Sequence, residues 1–183
     1  MIYLVRHGQS TSNIGMRTQG ADSTILTDLG IRQAKDFAAK IDRKPDLIVV
    51  SPFIRTRLTA QPLIDKYPDV HVETWDVQEF TFLGLKKYDG TTQDERRAIA
   101  EEYFAKNDPD YCPEEDGESL NMMMQRIDTM FEKLSKFDQD KFIIVFTHGR
   151  FMRGVHLRLQ NLTIDLKTLL SLPAVPNTGI IKL

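Results

Sequence analysis

The chain has 183 residues, the length of one ordinary domain, and 24 Lys and Arg against 26 Asp and Glu leave a formal charge of −2. That balance excludes a surface committed as a whole to nucleic acid or to an anionic membrane, though not a small local patch of either sign. The single cysteine, Cys112 in DPDYCPEEDG, excludes an intramolecular disulfide and a multi-cysteine zinc site, and its polar setting reads as a surface thiol.

No apolar run approaches the length that spans a bilayer, and MIYLVRHG does not read as a signal peptide, so the cytoplasm is the expected compartment. Residues 2–5 (IYLV) form a first apolar run ending at Arg6-His7. Thr27 is placed to cap a helix through LGIRQAKDFAAKI, where Leu29, Ala34, Phe37, Ala38 and Ile41 recur at helical spacing. Residues 47–50 (LIVV) read as a second buried strand, followed by a helix over 54–66 in which Pro62 is expected to force a kink or an irregular turn. Residues 70–75 predict a third strand.

Residues 76–118 are richer in charge and turn residues (KKYDGTTQDERR, KNDPDYCPEEDG), with one helix predicted over 94–105, and read as an insertion lying over the sheet. Leu120, Met124, Ile127, Phe131 and Leu134 then step by four, three, four and three, which makes an amphipathic helix. In it Met122, Met123, Met124 and Met130 read as adaptable core filling rather than as an interaction stripe. Residues 142–146 (FIIVF) predict a strand ending at Thr147-His148-Gly149. Helices over 151–159 and near 166–170 and a short strand over 178–182 complete the chain. Strands alternating with helices imply an α/β sandwich with a largely parallel sheet, whose ligands bind beyond the carboxyl ends of the strands.

Three of those ends carry reactive residues: Arg6-His7-Gly8, Ser51 to Arg55, and His148-Gly149. Gly8 and Gly149 each follow a histidine, where glycine lets the backbone turn sharply and bring an amide close to a ligand. His71, within a strand, and His156, in mid-helix, take structural roles, and the absence of any HxH or HExxH pairing argues against a metal site. Arg6 and Arg55 supply guanidinium forks that match phosphate oxygens and keep their charge. Such cations lower an imidazole's pKa from its reference of about 6.5, keeping one histidine neutral for attack on phosphorus. Arg55 also opposes the dipole of the helix it opens, a conflict that an anionic ligand relieves. Glu79, in VQEFTFLG, is the carboxylate best placed to protonate a departing alkoxide. Phe80, Phe82 and Leu83 are expected to desolvate it and raise its pKa.

In order, RHGQSTSN (6–13), LTDLGIRQA (26–34), SPFIRTRLTAQ (51–61), THG (147–149) and PNTGI (176–180), with a glutamate between the third and fourth, resemble the histidine phosphatase, or phosphoglycerate mutase-like, superfamily. The resemblance covers most of the chain. It implies a three-layer α/β/α sandwich with a mostly parallel central sheet, one domain over 1–183 and a small helical lid at about 80–118. By it His7 is the nucleophile that becomes a phosphohistidine, Arg6, Arg55 and His148 form the phosphate pocket, and Glu79 is the proton donor. Asn13 matches the family's pocket-supporting asparagine, and the Gly149 amide adds a donor. No metal or cofactor is implied. The chain departs from many relatives at Arg150, where a small residue is usual; the arginine either charges and narrows the entrance or points away along its helix.

Within that family the expected activity is a metal-independent phosphomonoesterase acting on a small-molecule phosphomonoester. The mutase alternative usually carries a longer insertion and an Arg-Arg pair before Ser. Here Arg96-Arg97 precede Ala98-Ile99, and EFTFL departs from the mutase pattern. A non-catalytic phosphate-binding or docking module is the reading from another class. Lid residues Lys86, Lys87, Tyr88, Arg96, Arg97 and Tyr103 either read a second group on the substrate or are solvated, and the solvated face is preferred for most. Nothing in the sequence sets the oligomeric state.

Overall fold

The strands that end in the candidate site residues lie side by side. The computed structural model describes residues 1–18 and 24–183. Among them, β1 (Ile2–Arg6), β2 (Leu47–Val50), β3 (His71–Thr74), β4 (Ile143–Thr147) and β5 (Ile180–Lys182) form one sheet in the order β3-β2-β4-β1-β5. The first four are mutually parallel, and β5 closes the edge antiparallel to β1.

Successive side chains of a strand point to opposite faces, and two cores follow. Val5, Ile48, Val50, Ile144 and Phe146 pack with Phe37 and Ala38 of α1 (Asp28–Ala39) and Ala60 and Leu63 of α2 (Ile54–Lys66). Leu4, Leu47, Val49, Ile143 and Val145 form the other core with α4 (Leu120–Leu134), α5 (Gly149–Leu159) and α6 (Leu166–Ser171). β2 and β4, covered on both faces, are buried at every position, which is why they read as unbroken apolar runs. The result is the expected three-layer α/β/α sandwich. Met123, Met124 and Met130 lie in the core as expected, whereas Met122 is exposed, because it falls off the helix face that carries Leu120, Met123, Met124 and Ile127. No helix of the described residues is long and apolar enough to cross a membrane.

Residue-level differences have local causes. Thr27 caps α1 by accepting from the Gly30 amide at 3.1 Å, as its position predicts. α2 runs unbroken through Pro62, because its buried face of Thr56, Thr59, Ala60 and Leu63 is held by the sheet and α1. Strand ends differ from the expected ones by one or two residues, the usual uncertainty of an element's end. Between β3 and α4 lies the insertion, whose helix α3 spans Gln93–Lys106 behind a Thr92 cap with Glu95 reciprocating. Phe80, Phe82 and Tyr103 from this stretch join the core that carries α4 and α5, so the lid is anchored by burial.

The start of α1 is pressed against the loop that follows β1. A Cβ on Gly30 would lie 2.0 Å from the Gln9 carbonyl oxygen, and one on Gly8 would lie 2.7 Å from the Gly30 oxygen. Neither neighbour can yield without moving backbone. At Gly154, in α5, an added Cβ meets only side-chain ends, Ile127 Cδ1 at 2.6 Å and Met123 Cε at 2.9 Å. Gly30→Ala is therefore expected to destabilise by about 2 kcal/mol or more, in the upper range for overpacking. In Gly154→Ala the gain in helix propensity of about 1 kcal/mol offsets much of a similar strain. Urea midpoints of the two variants check this order, which an equal loss in both would contradict.

Candidate active site

The pairing of β1 with β4 sets Arg6 opposite Thr147, so the residues that follow, His7 and His148, emerge side by side. The His7 amide donates to the Thr147 carbonyl at 3.0 Å, and the two imidazole centroids lie 5.1 Å apart. Arg55 joins them from the first turn of α2, beyond β2 on the other side of β4.

The tautomer of His7 follows from its partners. Nδ1 lies 2.7 Å from the Gly8 carbonyl oxygen, which can only accept, so Nδ1 carries the proton. Nε2 then holds a lone pair, and Arg55 Nε donates to it at 3.2 Å. Burial, then the Arg55 charge, push the His7 pKa down to about 3. Burial also lowers Arg55 to about 10, against a raising effect of Glu79, so the guanidinium is a cation near neutrality. A neutral imidazole beside the buried Arg55 guanidinium, with the half-buried Arg6 charge acting on it as well, is thus set without a ligand. The flanking backbone is held too: the Gly8 amide donates to Thr59 Oγ1 at 2.9 Å, and that hydroxyl donates to the Arg55 carbonyl at 2.6 Å.

Arg6 is held by its Nη1 donating to the Val175 carbonyl at 2.6 Å, while its Nε is buried with no partner. Burial lowers its pKa, Glu79 acts in the opposite sense, and Arg150 lowers it further. A Cβ on Gly149 would stand 3.3 Å from Arg6 Nε, so a glycine there leaves room for that guanidinium. Asn177 Nδ2 donates to the His7 carbonyl at 2.9 Å, and Thr178 after it is held at φ +56°, a costly conformation for a β-branched residue. Asn13 accepts from the Ser10 amide at 3.0 Å and faces Asn177 Nδ2 at 3.4 Å, a brace for the same loop.

His148 is fully buried, its Nε2 2.7 Å from Ser51 Oγ, which also lies 3.1 Å from Thr56 Oγ1. Burial first, then the Arg55 charge, hold its pKa well below the ordinary value. Its Nδ1 is buried without a partner among the described residues, at a cost of about 1–3 kcal/mol for such a group.

Glu79 arrives on the segment that crosses the end of β4. Thr147 Oγ1 donates to the Val77 carbonyl at 2.6 Å, and Arg126 Nη1 donates to the carbonyls of Asp76 and Gln78 at 2.9 and 3.1 Å. Arg126 in turn is paired with the buried Glu118 at 2.6 Å. Glu79 Oε1 then accepts from the amides of Phe80, Arg150 and Phe151 at 3.0, 3.0 and 3.3 Å. The sequence suggested a carboxylate wrapped by its apolar neighbours. Instead Phe80 and Phe82 turn into the lid's aromatic cluster with Tyr103, and Glu79 is clasped by the N-terminal turn of α5.

Arg6, His7, Asn13, Arg55, Glu79 and Gly149 line a cavity of about 950 Å³ together with residues of the insertion, whereas the fully buried His148 is not among its lining residues. A sequence model of the histidine phosphatase superfamily (branch 1) matches residues 2–183. The chain belongs to that superfamily. A metal-independent phosphoserine phosphatase from Arabidopsis thaliana is 28% identical over 165 residues, covering 86% of this chain and 68% of that protein. A mycobacterial glucosyl-3-phosphoglycerate phosphatase solved with VO3 superposes with a TM-score of 0.77 at 26% identity, over 98% of this chain and 90% of its own. A phosphoserine phosphatase mutant from Entamoeba histolytica, in complex with phosphoserine, gives a TM-score of 0.76 at 26% identity over 98% and 87%.

In this superfamily member the expected lid residues divide. Arg96 is engaged with Thr18 and Thr91, Arg97 with Asp94, and Lys87 with Glu114, so each ties the lid together. Tyr103 is buried among aromatic rings and Tyr88 lines the cavity, while Lys86 does not. Arg150 faces the cavity, its guanidinium over the rings of Phe82 and Phe104 at 5.2 and 5.8 Å. Arg153 lines it as well, although sequence reasoning passed over it; its place three residues after Arg150, on the same helix face, was the available signal. Asn177, inside the PNTGI motif, was likewise not singled out.

The two buried neutral histidines give a pH signature. The unfolded chain takes up protons below about pH 6.5 that folded His7 and His148 refuse. Their contribution to stability is therefore full above that pH and is lost as pH falls toward the folded value of about 3 for His7. Each contributes a slope of up to about 1.4 kcal/mol per pH unit. Urea unfolding between pH 7.5 and 5 is expected to show this loss, and His7→Gln to remove about half of it. An unchanged slope in that variant contradicts the assignment.

Proposed function

We propose that the protein is a metal-independent phosphomonoesterase that hydrolyses a small phosphorylated substrate through a phosphohistidine on His7. The observation that carries this reading is the His7 ring: Nδ1–H donates to the Gly8 carbonyl, and Nε2 presents a lone pair that accepts from Arg55 Nε, with the Arg6 charge also acting on the ring. The names of the relatives, phosphatases of phosphoserine and of a glucosylated phosphoglycerate, support it.

In the first step Nε2 forms a bond to phosphorus and the ester P–O bond breaks. Arg6 and Arg55 hold the phosphoryl oxygens and balance their charge. With the Ser51 hydroxyl donating to His148 Nε2, the His148 proton sits on Nδ1, and a phosphoryl oxygen supplies the partner that this atom lacks. Glu79, as the acid, gives its proton to the leaving alkoxide. In the second step Glu79, now a carboxylate, takes a proton from water as that water attacks phosphorus; the P–N bond breaks, and phosphate and neutral His7 are released. Arg96 and Arg97, the pair a mutase reading would draw on, are engaged within the lid, so hydrolysis is favoured over return of the phosphoryl group to an acceptor.

Phosphate release from p-nitrophenyl phosphate tests this. Wild-type activity is expected to survive EDTA and to vanish in His7→Ala. Glu79→Gln is expected to lose about 10²–10⁴ in rate on an alkyl phosphate and much less on the nitrophenyl ester, whose leaving group needs no proton. Activity in His7→Ala equal to wild type would sink the mechanism.

A further inference from the structure

Among the described residues, four arginines besides Arg6 and Arg55 line the cavity; Arg96 and Arg97 are engaged by Thr91 and Asp94, which leaves two. Arg150 and Arg153 stand one turn apart on α5, and both line the cavity beyond Gly149, against which Arg6 lies. Neither guanidinium forms a hydrogen bond or ion pair among the described residues. Arg150 is steadied instead by the two aromatic faces of Phe82 and Phe104, which fix a cation without neutralising it. It also sits in the first turn of α5, where a cation opposes the helix dipole.

The charge around it is unbalanced. Glu79 acts electrostatically on Arg6, Arg55 and Arg153, and one carboxylate does not offset three guanidiniums. The other acids on the wall, Asp89, Asp94 and Glu101, belong to the lid, and Asp94 is paired with Arg97. Arg150 depresses the pKa of both Arg6 and Arg153, the mark of like charges crowded together. Four guanidiniums less one carboxylate leave three positive charges, and a phosphoryl dianion on Arg6 and Arg55 answers two of them. The cavity, at about 950 Å³, has room for a second group.

We propose that Arg150 and Arg153 form a second anion subsite, and that the substrate is a compact phosphomonoester carrying a carboxylate or a further phosphoryl group besides the one removed. The proposal rests on the phosphatase reading above for the first group and adds the chemistry of the second. Arg150 and Arg153 are specificity-determining residues in it: they grip a part of the substrate that does not react.

The test is a preference between matched esters. Glycerol 3-phosphate and 3-phosphoglycerate share a skeleton and differ by a carboxylate; fructose 6-phosphate and fructose 1,6-bisphosphate differ by a phosphoryl group. In at least one pair, wild-type kcat/KM is expected to favour the doubly anionic member by about tenfold or more, the worth of one charge-assisted hydrogen bond. The pair with the larger ratio identifies the second group. Arg150→Met and Arg153→Met, which keep an apolar stem, are expected to cut that ratio about tenfold, and Arg150→Lys to retain most of it. Ratios near one in wild type, or ratios untouched by both methionine variants, overturn the subsite while leaving the phosphatase reading standing. If wild type releases no phosphate from any ester, the phosphatase reading falls instead. Calorimetric binding of the same pairs to His7→Ala, with and without Arg150→Met, then decides the subsite by the same ratio.

Discussion

The register between β1 and β4 is the constraint on which the site depends. It pairs Arg6 with Thr147, and so brings two histidines that are far apart in the chain to the same height at the sheet's edge. A slip of one residue would turn every side chain of β1 to the opposite face. Leu4 and Val5 would exchange cores, and His7 would leave Arg55. The burial that selects the register is thus the same burial that places the chemistry. Stability and reactivity are specified by one set of contacts.

Within that frame, burial and charge act together on the imidazoles. Taking a histidine out of water favours its neutral form, and adjacent guanidiniums favour it again. Both effects fall on His7 and on His148. The whole-chain charge of −2 is blind to this arrangement, because it sums over a surface where most charges are solvated. What matters is that several arginines are gathered at the strand ends, some of them with much of their water removed.

The sequence made the sheet, the grouping of residues at the strand ends and the stretch between β3 and α4 legible because those features are local or periodic. Runs such as LIVV and FIIVF are buried on both faces, and a cap such as Thr27 acts within three residues. The parts that stayed hidden are the long-range ones. Glu79 is clasped by amides more than seventy positions later, and no local pattern announces that contact. Arg96 and Arg97 looked equally free on a charged helix, yet one closes on Thr18 and Thr91 and the other on its own helix turn. Pro62 was expected to disturb α2, but tertiary packing on the Ala60 and Leu63 face outweighs one missing amide.

The turn before β5 has a consequence for the way the protein comes into being. The His7 carbonyl is held by Asn177 and the neighbouring Arg6 by Val175, contacts that span 170 and 169 positions. β1 cannot acquire its antiparallel neighbour until that same stretch exists. β1 must therefore wait, with the His7 loop unbraced, until residues 175–182 are available to fold against it. Contacts of such high sequence separation form late and slowly. A chain stopped short of residue 175 has its histidines and arginines but lacks the clasp that aligns them.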